Sequence, residues 1–81
     1  MRIVFTKHAE AMLAERVISR EWVERTLQAP DFVEPDTLQP EGMRAFRQIP
    51  ENGGRVLRVV YVSDGDTMRV VTAFFDRNRS K

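Results

Sequence analysis

Cysteine is absent from the 81-residue chain, which excludes disulfides, thiolate metal sites and cysteine nucleophiles. Histidine occurs once, so histidines alone cannot form a metal site, and we expect neither a metal nor another cofactor. Long hydrophobic runs are also missing: the longest apolar runs present fall far short of the roughly 20 apolar residues that a membrane helix needs. The apolar run before Thr6 is only three residues long, too short for the core of a signal peptide. We therefore expect a cytoplasmic protein without a membrane partner.

Composition indicates one ordinary globular domain. Hydrophobic residues make up 42% and charged residues 31%, and a chain this short has room for a single core, so we expect one domain over residues 1–81. The formal net charge is +1, but the two signs are unevenly placed. Acidic residues concentrate in residues 31–41 and arginines in residues 44–79, with a basic tail at 77–81. A basic half favours a polyanionic partner.

Two segments carry the spacing of amphipathic helices, residues 7–16 and residues 20–28. Apolar positions recur three and four residues apart: Ala9, Met12 and Leu13 in the first segment, and Trp22, Val23 and Leu27 in the second. Ser19 is a favourable N-cap for the second helix, and Pro30 ends it. Because so few residues separate the segments, they predict a two-helix hairpin that turns its apolar side toward a third element.

The remaining chain supplies that third element as β-strands. Residues 43–49, 55–62 and 68–75 are rich in β-branched and aromatic residues and predict three antiparallel strands. Residues 32–38 contain Pro35 and fit an edge strand or a loop. With a short first strand at residues 2–5, the expected fold is α+β: an N-terminal strand, a two-helix hairpin, and a curved antiparallel sheet of three to four strands.

The turns determine which side chains share a face of that sheet. A two-residue turn at Asn52-Gly53 would place Arg47 opposite Arg58, and one at Asp64-Gly65 would add Arg69 to the same face. Arg77 would follow if the last strand ran that far. A bulge would reverse part of this register. The predicted band of arginines suits an anion such as phosphate, although long solvated side chains that shield an edge explain it too.

The opposite face is expected to be buried under the helices. Its predicted members are Phe46, Leu57, Val59, Tyr61, Val70 and Phe74. Phe75 would then lie on the arginine face, as a stacking residue or as part of a protein-binding patch. His8, the only histidine, begins the first helix. It is a candidate general acid or base, and local packing at the helix start is the alternative.

Four segments carry a family resemblance: FTKHAEAMLAERVIS, EWVERTL, GGRVLRVVYV and RVVTAFFDR. They resemble an uncharacterised domain-of-unknown-function family of short proteins that is related at fold level to the RelE, ParE and BrnT toxins of bacterial toxin–antitoxin systems. The resemblance implies a strand, two helices and a curved sheet, with messenger RNA bound on the concave sheet face in the RNA-cleaving members. The positions that match are His8, Arg16, Arg58 and Thr72.

The chemistry implied by the resemblance is metal-free RNA cleavage, in which the ribose 2′-hydroxyl attacks the neighbouring phosphate. His8 and Arg58 would be catalytic: His8 would transfer the proton and Arg58 would stabilise the developing charge. The expected RNA-binding residues are Arg16, Arg47, Arg69, Thr72 and Arg77. An antitoxin protein and single-stranded RNA are the expected partners. A non-catalytic protein-interaction module of the same fold is the alternative, and its contact residues would be Val56, Val60, Val71 and Phe75.

Overall fold

The computed structural model describes residues 2–77. The elements in chain order are β1 (Arg2–Phe5), α1 (Lys7–Arg16), α2 (Arg20–Gln28), β2 (Phe32–Pro35), β3 (Gly42–Ile49), a short 3-10 helix (Pro50–Asn52), β4 (Arg55–Asp64) and β5 (Thr67–Asp76). The predicted basic tail therefore lies outside the described residues, apart from Arg77. Within residues 2–77 no helix is long and apolar enough to cross a membrane.

The strands form one mixed sheet in the order β1-β5-β4-β3-β2. Neighbouring strands from β2 to β5 are antiparallel, as predicted, whereas β1 runs parallel to β5. The expectation of three to four antiparallel strands was wrong, because the sheet has five. The two helices return the chain to the far edge of the sheet, so β1 is free to pair with the last strand, and residues 32–35 form the opposite edge.

Both helices lie on one face of the sheet, as predicted. Thr6 caps α1 by accepting a hydrogen bond from the Ala9 N–H, and Ser19 caps α2 through the Glu21 N–H. The main core contains buried residues of both helices and of the facing sheet surface: Ala9, Leu13, Ile18, Val23, Leu27, Ala45, Ile49, Leu57, Val59, Tyr61, Val70 and Ala73. Helix α2 is also tied to the connection after β3, where the Arg25 guanidinium hydrogen-bonds the Glu51 carboxylate and lowers its pKa to about 2.

Between the helices, the backbone turns sharply at Val17. Its φ of 55° is left-handed, the Val17 N–H donates to the Ala14 carbonyl, and the Ile18 N–H donates to the Leu13 carbonyl. This pair of hydrogen bonds is the Schellman motif, which satisfies carbonyls that the end of a helix leaves without a partner. Leu13 and Ile18 are both buried and supply the apolar contact that usually accompanies it.

Strands β3 and β4 pair one residue away from the predicted register. The predicted two-residue turn at Asn52-Gly53 is replaced by a longer connection that consists of the 3-10 helix, Gly53 and Gly54. Both glycines adopt positive φ, which glycine does without steric cost. Arg47 therefore lies opposite Leu57, on the face that the helices cover, and Arg58 lies opposite Phe46. The predicted opposition of Arg47 and Arg58 is wrong, and so is the placement of Phe46 beneath the helices.

A bulge in the pairing of β4 and β5 moves the side chains of the last part of β5 to the faces opposite to those predicted. Asp64 pairs with Thr67 across the turn, and the pairing shifts between Val60 and Tyr61, so that Val71 has no opposite residue. One extra residue in a strand exchanges the faces of all that follow. Phe75 consequently packs against the core and meets the Trp22 ring at a centroid distance of 5.9 Å. Phe74 lies on the other face of the sheet, so the predicted faces of Phe74 and Phe75 are both wrong.

We call the sheet surface turned away from the helices the open face. Its residues include Arg44, Phe46, Val56, Arg58, Val60, Val62, Arg69, Thr72, Phe74 and Asp76. The segment after β2, residues 36–41, reaches over part of this face, since Asp36, Leu38 and Gln39 share a pocket with residues of β4 and β5. The open face is therefore bounded by a loop on one side and by the β5 edge on the other.

Replacing Val17 by glycine is predicted to stabilise the protein. Left-handed backbone costs an L-residue roughly 1–2 kcal/mol, and the Val17 side chain is 82% exposed, so little packing is lost. Part of this gain is lost because glycine raises the conformational entropy of the unfolded chain. The net increase in the free energy of unfolding is therefore about 0.5–1 kcal/mol. Denaturant titration measures it, with Val17→Ala as the control that keeps a Cβ atom. A lower free energy of unfolding for Val17→Gly would contradict the prediction.

Candidate functional site

The centre of the open face is a row of three side chains on three adjacent strands. Arg58 of β4 lies between Phe46 of β3 and Phe74 of β5 in the pairing register. The Arg58 guanidinium carbon is 4.8 Å from the centroid of the Phe74 ring and 5.5 Å from that of Phe46. A cation over aromatic faces is attracted to their π-electrons, more strongly where water is partly excluded. Both rings therefore help to hold the guanidinium in place.

A buried carboxylate fixes the orientation of that guanidinium. The Nε and Nη2 atoms of Arg58 donate to Oδ2 of Asp76 at 3.2 and 2.7 Å. The Asp76 side chain is only 4% exposed and that of Arg58 is 21% exposed. Nη1 of Arg58 makes no hydrogen bond to any residue in the described part of the chain. Two hydrogen bonds thus orient the guanidinium, and its Nη1 atom remains available.

The segment after β2 places a second carboxylate near the same guanidinium. Oδ2 of Asp36 accepts hydrogen bonds from the N–H groups of Leu38 and Gln39 at 3.1 and 2.7 Å, which folds the segment into a tight turn. Oδ1 of Asp36 lies 3.9 Å from Nη1 of Arg44, an ion pair rather than a hydrogen bond. Arg44 is itself 2.8 Å from the Glu34 carboxylate.

The Asp36 carboxylate is stabilised in its charged form. Burial raises its pKa, but the hydrogen bonds from the Gln39 and Leu38 N–H groups act in the opposite direction. The positive charges of Arg44 and Arg58 lower it further, and the net result is a pKa below the ordinary value for aspartate. At neutral pH, Asp36 is therefore an acceptor of hydrogen bonds and a poor general acid.

These groups line a pocket of about 250 Å³ on the open face. Its polar walls are formed by Asp36, Gln39, Arg58 and Thr72. Its apolar walls are formed by Leu38, Val60, Val71 and Phe74. The pocket thus combines a mainly apolar lining with a few polar groups, as is typical of sites for small ligands.

Arg16 reaches the open face around the edge of the sheet. Strand β1 pairs only with residues 67–70 of β5, which leaves the following part of the β5 edge without a neighbouring strand. Nη1 of Arg16 donates to the Ala73 carbonyl at 2.9 Å, and its guanidinium carbon is 5.7 Å from the centroid of Phe74. The end of α1 thereby contributes a second guanidinium next to the ring that Arg58 contacts.

The structure brings Arg16, Arg58 and Thr72 to one place on the molecule. Arg69 is on the open face too, but nearer to the turn between β4 and β5, where it lies opposite Val62. Its side chain is exposed and forms no ion pair with the described residues. Arg77 is exposed directly after β5. Four of the predicted residues thus border the open face, and Arg77 follows its last strand.

Arg47 and His8 are not part of this site. Arg47 lies on the helix-covered face, where its Nη1 donates to the Ala29 carbonyl at 2.6 Å. It therefore caps the carboxyl end of α2 and is not available for RNA, because the register differs by one residue from the prediction. His8 is exposed in the first turn of α1, on the helix side of the sheet, whereas Arg58 is on the opposite side. The predicted catalytic pair of His8 and Arg58 is not brought together.

Sequence reasoning missed the two carboxylates and the ring that organise the site. Asp76 and Phe74 reach the open face only because of the bulge at Val71, and no residue type in that part of the sequence signals a bulge. Asp36 did carry a signal. An aspartate directly after Pro35, in a segment that also contains Pro40 and Gly42, favours a turn in which its side chain accepts backbone hydrogen bonds.

Comparison with known proteins identifies the family. The sequence profile of the domain of unknown function DUF4258 matches residues 5–75, so the chain belongs to that family. No curated protein and no solved structure matches the chain at a significant level. The prediction of an uncharacterised domain family is confirmed. Among the residues that the structure describes, no cluster of three or more histidine, aspartate or glutamate side chains is arranged to hold a metal ion.

Replacing Arg58 by glutamine is predicted to destabilise the fold. The change removes the guanidinium from a buried carboxylate, and a broken buried pair costs about 3–5 kcal/mol. Since Arg58 is partly exposed, we expect the lower end of that range, measured as the free energy of unfolding in urea. Arg20→Gln is the control: it breaks the exposed ion pair with Glu10, which is worth about 1 kcal/mol or less. Equal losses for the two variants would refute a structural role for the Arg58 pair.

Proposed function

We propose that this protein is a toxin-like component of a bacterial toxin–antitoxin system, related at fold level to RelE, ParE and BrnT, that binds single-stranded RNA on its open face. In this proposal the protein acts in the cytoplasm, and an antitoxin protein covers the open face to hold it inactive. RNA binding, and not a particular cleavage step, is the activity that we assign to this surface.

The observation that carries the proposal is the contact of two arginines with one half-buried aromatic ring on the sheet face that the helices do not cover. Arg58 and Arg16 both approach Phe74, and Arg69 adds an exposed charge further along the same face. Proteins that bind single-stranded nucleic acid combine aromatic rings for base stacking with cations for the phosphates. The open face offers both kinds of group on adjacent strands.

Cleavage through His8 receives no support from this geometry. A general base must come within hydrogen-bond reach of the proton that it removes, and His8 is separated from Arg58 by the sheet. Asp36 is near Arg58, but its lowered pKa makes it a weak base. We therefore propose RNA binding without cleavage, and the protein would inhibit growth because the RNA that it binds is no longer available to the cell.

A non-catalytic protein-interaction module is the second candidate, and one observation favours it. The arginines at the centre of the open face are paired with carboxylates: Arg58 with Asp76, and Arg44 with Glu34. Such pairing reduces the positive potential that RNA would meet, and Leu38 at the pocket is 90% exposed. Of the contact residues predicted for this module, Val71 is half-buried at the pocket, Val56 and Val60 are buried, and Phe75 is on the core side.

RNA binding should depend on salt through Arg69. Each phosphate contact to single-stranded RNA contributes about 0.7 to the slope of log affinity against log salt. We expect Arg69→Gln to lower the slope by about this amount, because its charge has no partner among the described residues. Lys7→Gln, an equal charge change on the helix side, should leave the slope unchanged. Fluorescence anisotropy of labelled RNA at several salt concentrations measures both.

Absence of RNA binding by the unmodified chain at low salt would contradict the proposal and favour the interaction module. Equal slopes for Lys7→Gln and Arg69→Gln, both below that of the unmodified chain, would show that the open face is not where phosphate binds.

A further inference from the structure

The pocket on the open face holds hydrogen-bonding groups that the fold leaves partly unused. Oδ1 of Asp36 accepts no hydrogen bond from the described residues, while Oδ2 accepts two. Nη1 of Arg58 and the hydroxyl of Thr72 likewise make no hydrogen bond within residues 2–77. The pocket thus presents a charged acceptor, a charged donor and a hydroxyl that serves as either.

The charges of the pocket favour a neutral ligand group over a phosphate. Asp36 and Asp76 bring two negative charges close to the two positive charges of Arg44 and Arg58. A phosphate that entered would lie against the Asp36 carboxylate, and like charges at short distance repel. A neutral group with both donors and acceptors would instead satisfy Asp36 and Arg58 at the same time.

The size and walls of the pocket favour one flat ring system. About 250 Å³ is below the usual range for a drug-sized ligand. The Phe74 ring forms one wall, and Val60 and Val71 supply apolar surface beside it. An aromatic ring next to polar edge-reading groups is the arrangement by which proteins hold a base that has left its stack.

We infer that this pocket binds a single unstacked base of the RNA, and that the base it selects is guanine. Guanine carries two adjacent N–H donors, at N1 and N2, which suit the Asp36 carboxylate. Its O6 and N7 are the acceptors that arginine recognises, and they suit Nη1 of Arg58. Adenine has only its amino group to offer to a carboxylate. The inference rests on the proposed function and adds base selection to it.

Two labelled RNAs test the inference: a short oligouridylate, and the same strand with one central guanosine. We expect the unmodified chain to bind the guanosine strand about tenfold more tightly, since the net gain of even one hydrogen bond to a charged group is of this size. Asp36→Asn should abolish this preference and leave binding of oligouridylate intact, because asparagine still accepts the backbone hydrogen bonds of the turn but lacks the charge. Thermal melting checks that the variant folds.

Asp66→Asn is the matched control. It removes the same charge from an exposed position at the turn between β4 and β5, so it should keep the full preference for guanosine. Equal affinity of the unmodified chain for both strands would overturn the guanine pocket and leave RNA binding standing. A preference that survives in Asp36→Asn would overturn it as well. No binding of either strand would overturn the proposed function and the inference together.

Discussion

The ion pair of Arg58 and Asp76 is the interaction on which the open face depends. It joins the middle strand of the sheet to β5 on the side that the helices do not cover, at a distance of 2.7 Å. Because one carboxylate oxygen accepts two of the guanidinium N–H groups, the guanidinium is held between the Phe46 and Phe74 rings and retains a free edge at Nη1. A buried pair of this kind adds little net stability compared with apolar residues, but it specifies one geometry.

The two faces of the sheet differ in what covers them. The helices cover one face and supply the main core, and Arg47 belongs to that side as the cap of α2. On the other face, the turn held by Asp36 encloses only part of the surface. The half-buried Phe74 ring, the exposed Arg16 and Arg69 side chains and a small pocket therefore lie together outside the helix-covered core, which is the combination that single-stranded nucleic acid requires.

Local sequence signals predicted the elements, while the site depended on register. Both helices agree with the predicted bounds, because capping residues and the spacing of apolar residues are local properties. The glycine-rich connection before β4 and the bulge at Val71 each changed the register by one residue, and such a change moves a side chain to the other face. Arg58 and Arg69 share one face of the sheet, as the predicted register had it, whereas the placement of Thr72, Phe74 and Asp76 on that face required the bulge to be known.

Growth of a bacterium that expresses the chain from an inducible promoter tests the central claim, that the open face and not His8 carries the function. The account predicts growth arrest by the unmodified chain and by His8→Ala, and its loss in the double variant Arg16→Gln with Arg69→Gln at equal protein abundance. Arrest that is lost in His8→Ala but retained in the double variant would contradict the account, and so would the absence of any arrest by the unmodified chain.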